Sequence, residues 1–173
     1  MQFPETIETA RLILRRWREE DAPACFHYAS DPRVGPLCGW LPHESEEYSR
    51  QIIRTILSAA MNYAVTVKGS DEAIGSIGFH PANNEACRGH LELGYWLGAP
   101  HWGNGYIPEA AQALMDFAFT LPEVDELWVA HYAENHNSRR VIKKLGFTFR
   151  FQCEEAAPLL GKMKELWYYS KSR

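Results

Sequence analysis

Cysteine is scarce in this 173-residue sequence. There are four, at positions 25, 38, 87 and 153, and no two form a CxxC pair. Thiols so scattered make neither a disulfide framework nor a zinc ribbon; they suit a reducing compartment, so a cytoplasmic protein is expected. A surplus of basic charge is also missing. Eighteen Lys and Arg face 22 Asp and Glu, for a net charge of −4, and no nucleic-acid partner is expected without a basic surface. No run of about 18 apolar residues is present to cross a membrane. Residues 1–5, Met-Gln-Phe-Pro-Glu, have neither a basic n-region nor an apolar h-region, so no secretory leader or membrane partner is expected. Seven histidines show no HExxH or comparable spacing, and no metal is expected. Low-complexity tracts, repeats and Pro/Gly/Ser linkers are absent too, which makes residues 1–173 a single domain.

What is present is a chain 46% hydrophobic, long enough to bury about two thirds of its unfolded surface. Arg11–Trp17 reads as a strand. Asp21 is placed to cap a short helix with Pro23 in its first turn, and Pro- and Gly-rich residues 31–44 read as a loop. Ser45 to about Ala60 has apolar residues at helical spacing, with Glu46 and Glu47 at its favourable dipole end. Tyr63–Lys68, Ala73–Phe79 and His90–Leu97 follow as strands. The last alternates, with Leu91, Leu93, Tyr95 and Leu97 on one face and His90, Glu92, Gly94 and Trp96 on the other. A helix from Gly105 to about Thr120, a strand Glu126–Tyr132, a helix Asn135–Leu145 and strands Phe147–Cys153 and Lys164–Tyr169 complete the chain. The order βααβββαβαββ describes an α+β (mixed α/β) fold. Its sheet is mixed and mostly antiparallel, with about seven strands, one parallel step and about four flanking helices.

The densest functional signal is Trp102-Gly103-Asn104-Gly105-Tyr106-Ile107-Pro108-Glu109-Ala110, between a strand and a helix. Two glycines permit a tight turn, and the N–H groups that open the next helix lack intrahelical partners, so the segment suits a diphosphate. An ordinary glycine-rich loop has the same look. With Tyr95-Trp96-Leu97 before it, the segment resembles motif A of the GNAT superfamily of N-acetyltransferases. Downstream, Asn135-x-x-Ser138-x-Arg140-Val141-x-x-Lys144-Leu145-Gly146-Phe147 resembles the accompanying motif B. Glu8-Thr9-Ala10-Arg11-Leu12-Ile13-Leu14-Arg15 is similar to the first strand of the RimJ/RimL-type branch. This chain carries Trp102 where many relatives open the loop with Arg or Gln, and Ile107-Pro108 where a small residue is usual. A proline in the first turn costs no hydrogen bond.

The resemblance implies a GNAT-type sheet and acetyl transfer from acetyl-CoA to a primary amine, a peptide N-terminus or a small molecule, by direct attack. It also implies cofactor contacts at Trp96, Leu97, Trp102, Gly103, Asn104, Gly105, Tyr106, Ile107, Asn135 and Ser138, with the pantetheine arm entering where strands 90–97 and 126–132 splay. For the base that removes the amine's proton, Glu92 is the first choice and His90 a substitute or relay; a solvated strand glutamate is the plain alternative. Ser138 is the candidate hydroxyl for the leaving thiolate, with helix capping by Asn135 or Ser138 as the competing role. Trp40, the 31–44 loop and the 153–162 turn with Glu154 and Glu155 are expected around the acceptor. Monomer and homodimer both stay open. A dinucleotide site would want glycine at Pro108 and an acid after, not before, the next strand, where Asp125 stands. A non-catalytic acyl-CoA-binding domain on the same fold is the alternative from another class.

Overall fold

A hairpin begins the chain where a single strand was expected. In the computed structural model, which describes residues 1–173, β1 (Thr6–Glu8) and β2 (Leu12–Arg15) pair antiparallel. Their turn is local. The Thr9 N–H donates to the Leu12 carbonyl (3.0 Å), and the Leu12 N–H donates to Thr9 Oγ1 (2.9 Å). Asp21 does not cap α1 (Ala22–Ala29) with its side chain. Its carboxylate instead takes both ends of the buried Arg15 guanidinium, at 2.7 and 2.8 Å. Asp71 takes only Nε of this guanidinium with its carboxylate (2.7 Å), and leaving the remaining charge of a buried cation unmet costs more than a missing cap, so the ion pair wins.

Ser45 does cap α2 (Glu46–Ile52), accepting from the Tyr48 N–H at 3.0 Å, and the helix ends in a wider π turn at Ile53–Leu57. Strands β3 (Asn62–Val67), β4 (Gly75–Pro81) and β5 (Leu91–Leu97) continue the antiparallel meander from β2. Helix α3 (Tyr106–Ala118) then crosses to β6 (Glu126–Tyr132), which lies parallel to β5. After α4 (His136–Lys144) come β7 (Thr148–Ala157) and β8 (Lys162–Ser172). The sheet has eight strands rather than about seven, in the order β1-β2-β3-β4-β5-β6-β8-β7. The final strands outrun their expected lengths: residues 153–157 belong to β7, and the turn is confined to Pro158–Gly161.

The main core lies on the sheet face covered by α3 and α4, where Leu93, Leu114, Met115, Leu127 and Ile142 are fully or nearly fully buried. On the other face α1 and α2 enclose a smaller cluster around Trp17, Ile53 and Leu57. Trp96 touches both clusters from the end of β5. No helix is long and apolar enough to cross a membrane.

Candidate active site

The site begins as a fault in the sheet. β5 and β6 pair only through Leu91–Leu93 and Leu127–Val129. Beyond that, β5 runs on to Leu97 held only by β4, and β6 runs on to Tyr132 held only by β8. The two strands part, and the stretch Gly94–Leu97 has no strand partner on its β6 side.

A cavity of about 310 Å³ opens at this parting. Tyr95, Trp96 and Leu97 form its floor, the Gly103–Pro108 turn one end, and Asn135, Ser138, Arg140 and Lys144 a side, while Val34, Leu37 and Cys38 close over it. Gly103 and Gly105 both have left-handed backbones, φ +81° and +75°. A Cβ would meet nothing at Gly103 and only Arg11 Nη2, 3.6 Å away, at Gly105. The glycines are needed for the turn itself, and space is left in front of them. The first helical N–H bond of α3 runs from Glu109 to the Gly105 carbonyl, leaving the Tyr106 and Ile107 N–H groups aimed out of the helix end. Arg33, Arg140 and Lys144 stand in the wall and no carboxylate does. A protein with net negative charge thus has a cavity suited to an anion.

The turn is braced from the N-terminal hairpin. The Glu109 carboxylate accepts from Thr9 Oγ1 (2.6 Å), the Arg11 N–H (2.8 Å) and Arg11 Nε (2.7 Å), and Arg11 Nη1 donates to the Asn104 carbonyl at 3.0 Å. Burial pushes the Glu109 carboxyl up, but these hydrogen bonds outweigh it and hold the group below the ordinary carboxylate range. Trp102 Nε1 fixes the loop to the strand by donating to the Leu97 carbonyl at 2.7 Å. At the start of α4, Asn135 Oδ1 accepts from the Ser138 N–H (3.1 Å), and its Nδ2 donates to the Leu37 carbonyl (3.1 Å). One side chain therefore caps the helix and anchors the 31–44 loop over the cavity.

Of the residues picked out by sequence, Trp96, Leu97, Trp102, Gly103, Gly105, Tyr106, Ile107, Asn135 and Ser138 meet around this one cavity. Asn104 does not; it lines an adjoining recess with Arg11, Glu109 and Lys144. Glu92 is not in the wall either. It belongs to the closed half of β5, opposite His80 on β4 and Trp128 on β6, on the same strand face as Trp96. Burial raises its carboxyl above the ordinary range; His80 works against this and Glu155 adds to it. Glu155 itself is held by Asn84 Nδ2 (2.6 Å) and the Tyr168 hydroxyl (2.9 Å). His90 lies at the far end of β5 from the parting, 4.0 Å from Asp125 and 3.9 Å from Glu126. On the face behind the cavity, the Trp40 ring packs at 5.9 Å from Trp96 and 5.2 Å from His43.

Two residues have parts in the site that the sequence patterns containing them do not assign. Arg11 braces the turn from across the fold, and no local spacing announces that. Tyr95 was counted with the leucines of its face, yet its hydroxyl lies 2.8 Å from Ser138 Oγ. A phenol in an apolar stripe needs a polar partner, and that was the available signal.

Residues 11–148 match the family described as acetyltransferase (GNAT) domain. The chain is 30% identical to an uncharacterized N-acetyltransferase, p20, of Bacillus licheniformis over 96% of its own length and 95% of that protein. It is 31% identical to the ribosomal-protein-serine acetyltransferase of Escherichia coli over 60% of its length and 59% of that protein. The crystal structure of a GNAT-family acetyltransferase from Bacillus anthracis superposes with a TM-score of 0.84 at 25% identity, covering 96% of this chain and 98% of that one.

Proposed function

The chain belongs to the acetyltransferase (GNAT) family, and from that premise we propose that it transfers an acetyl group from acetyl-CoA to a primary amine by direct attack in a ternary complex. The observation that carries this reading is the meeting of the parted strands with the glycine turn: a strand edge without a partner leads to a helix N-terminus in a cavity free of carboxylates. That combination fits a diphosphate joined to an amide-bearing arm. The Tyr106 and Ile107 N–H groups, with Arg140 and Lys144, would hold phosphate, and the β5 edge near Trp96 and Leu97 would hold the arm. Asn104 and Arg11 border the recess beyond the turn. When bound, acetyl-CoA supplies the thioester that the amine attacks.

Two residues are assigned to proton work. Glu92 lies on the strand face opposite the main core, so it would serve an amine arriving from the Trp40 side, directly or through a water. Its burial-raised carboxyl is a better base near neutrality than an ordinary glutamate. Ser138 would donate a hydrogen bond to the departing sulfur. A thiolate is already a fair leaving group, so this bond adds modestly to the rate. For the acceptor we favour a peptide N-terminus in the manner of the RimJ/RimL branch, because the Escherichia coli relative is named as an acetyltransferase of a ribosomal-protein serine. The four unpaired thiols suit a cytoplasmic setting for such a substrate.

The test is thiol release from acetyl-CoA against a panel of N-terminal peptides and small amines. Release with Ser- or Ala-initiated peptides is the expected result. A protein that binds acetyl-CoA by calorimetry yet frees no thiol with any acceptor would be a binding domain instead.

A further inference from the structure

Just past the last residue of β5 that pairs with β6, the Tyr95 side chain crosses to α4. Its hydroxyl lies 2.8 Å from Ser138 Oγ and 3.4 Å from the Ser138 carbonyl oxygen, and both residues border the cavity. Two hydroxyls in contact share one hydrogen, and which group donates it decides where the other hydrogen points. If serine donated, the phenolic hydrogen would have only the carbonyl at 3.4 Å, a distance at which an O–H bond is weak. If tyrosine donates, the phenol is satisfied, Ser138 Oγ accepts, and the serine hydrogen is left free to turn into the cavity. Burial pushes the phenol well above its ordinary value, the bond to Ser138 only partly opposing it, so the group stays a donor at every working pH.

We propose that Tyr95 is a positioning residue: its phenol donates to Ser138 Oγ and so aims the serine hydroxyl at the sulfur that acetyl transfer releases. This rests on the acetyl-transfer reading above. In that step the amine nitrogen forms the new N–C bond and the C–S bond breaks with its electron pair on sulfur. The surplus proton of the amine leaves to the base, and the thiolate later takes a proton from solvent. Serine therefore keeps its own proton throughout and contributes a hydrogen bond.

Titration of the thiolate absorbance of CoA bound to the protein reads that bond without turnover. The protein carries four free thiols of its own, Cys38 among them exposed, so the same titration without CoA is subtracted for each variant. Bound CoA is expected to ionise at lower pH than free CoA in the wild type. Tyr95→Phe, which keeps the ring and loses the hydroxyl, should reverse that by about half a unit. Ser138→Ala should reverse it at least as far, and the double variant no further than Ser138→Ala alone. In turnover, Tyr95→Phe should lower kcat by about threefold with KM for acetyl-CoA unchanged. A Tyr95→Phe titration identical to wild type overturns the inference alone. So does a Tyr95→Phe effect that persists in full without Ser138. Failure of the wild type to bind CoA at all would sink the acetyl-transfer reading instead, and this inference with it.

Discussion

From Leu91 to Leu93, β5 has a strand on each side; from Gly94 to Leu97 it has a strand on one. The alternation of side chains runs on unbroken through both halves, yet their work differs. In the closed half the inward residues Leu91 and Leu93 are core, and the outward Glu92 is half-buried beside His80 and Glu155. In the open half Tyr95, Trp96 and Leu97 become the floor of a cavity. Removing a neighbouring strand turns a core element into a ligand-facing edge, with no change in its hydrophobic pattern.

The comparison is sharpest if damage to the closed half costs stability and damage to the open half costs binding. Leu93→Ala removes a core side chain that is 2% exposed, and should cost about 2–5 kcal/mol in urea unfolding. The protein that remains folded should bind acetyl-CoA as before; a parallel loss of affinity would mean that the two halves act as one unit. Glu92→Gln probes the exception within the closed half. It should lower kcat at pH 7 by about a hundredfold with acetyl-CoA affinity held, and part of the rate should return as pH rises toward the amine's own pKa. Near-wild-type kcat/KM at pH 7 would remove Glu92 from the chemistry.

The same variant carries a stability sign. The folded-state pKa of Glu92 is raised, so its contribution is full below the unfolded pKa and is lost as pH rises through the folded one. Glu92→Gln should therefore melt above the wild type at pH 8, with the gap closing as pH falls into the ordinary carboxylate range. On the open side, Gly105→Val forces a β-branched residue into φ +75°, and should weaken acetyl-CoA binding by about thirtyfold, or about 2 kcal/mol, in calorimetry. Unchanged affinity in a folded variant would place the phosphates elsewhere. Ser138→Ala is the mildest, with kcat down about tenfold or less; a thousandfold loss with binding intact would make the serine a true proton donor.

The sequence reveals most where a local rule decides. The β3–β5 meander, the parallel β5–β6 step and the glycine turn before α3 follow from period-2 patterning, connection type and glycine placement. Distance in sequence hides the rest. Asp21 has the residue type and position of a cap, but Arg15 is buried and claims it. The β1–β2 hairpin is short, and its turn, Thr9-Ala10-Arg11, has no glycine or proline to announce it. Asn104 and Glu92 carry sensible chemistry for the cavity, but Asn104 lines the outer recess and Glu92 falls in the half of β5 that β6 closes off. Tyr95 could be placed on its strand but not paired with Ser138, because the pairing depends on how α4 lies across the gap.

In space β8 lies between β6 and β7, yet in the chain it follows both. The turn Pro158–Gly161 joins it directly to β7, so these two strands can pair as a local hairpin without help from the rest of the sheet. The β6 edge from Glu126 to Tyr132 has no partner until β8 arrives there. This end of the sheet is therefore assembled in the manner of two surfaces meeting, a hairpin edge on a waiting strand, and lengthening the Pro158–Gly161 turn should slow refolding more than it lowers stability.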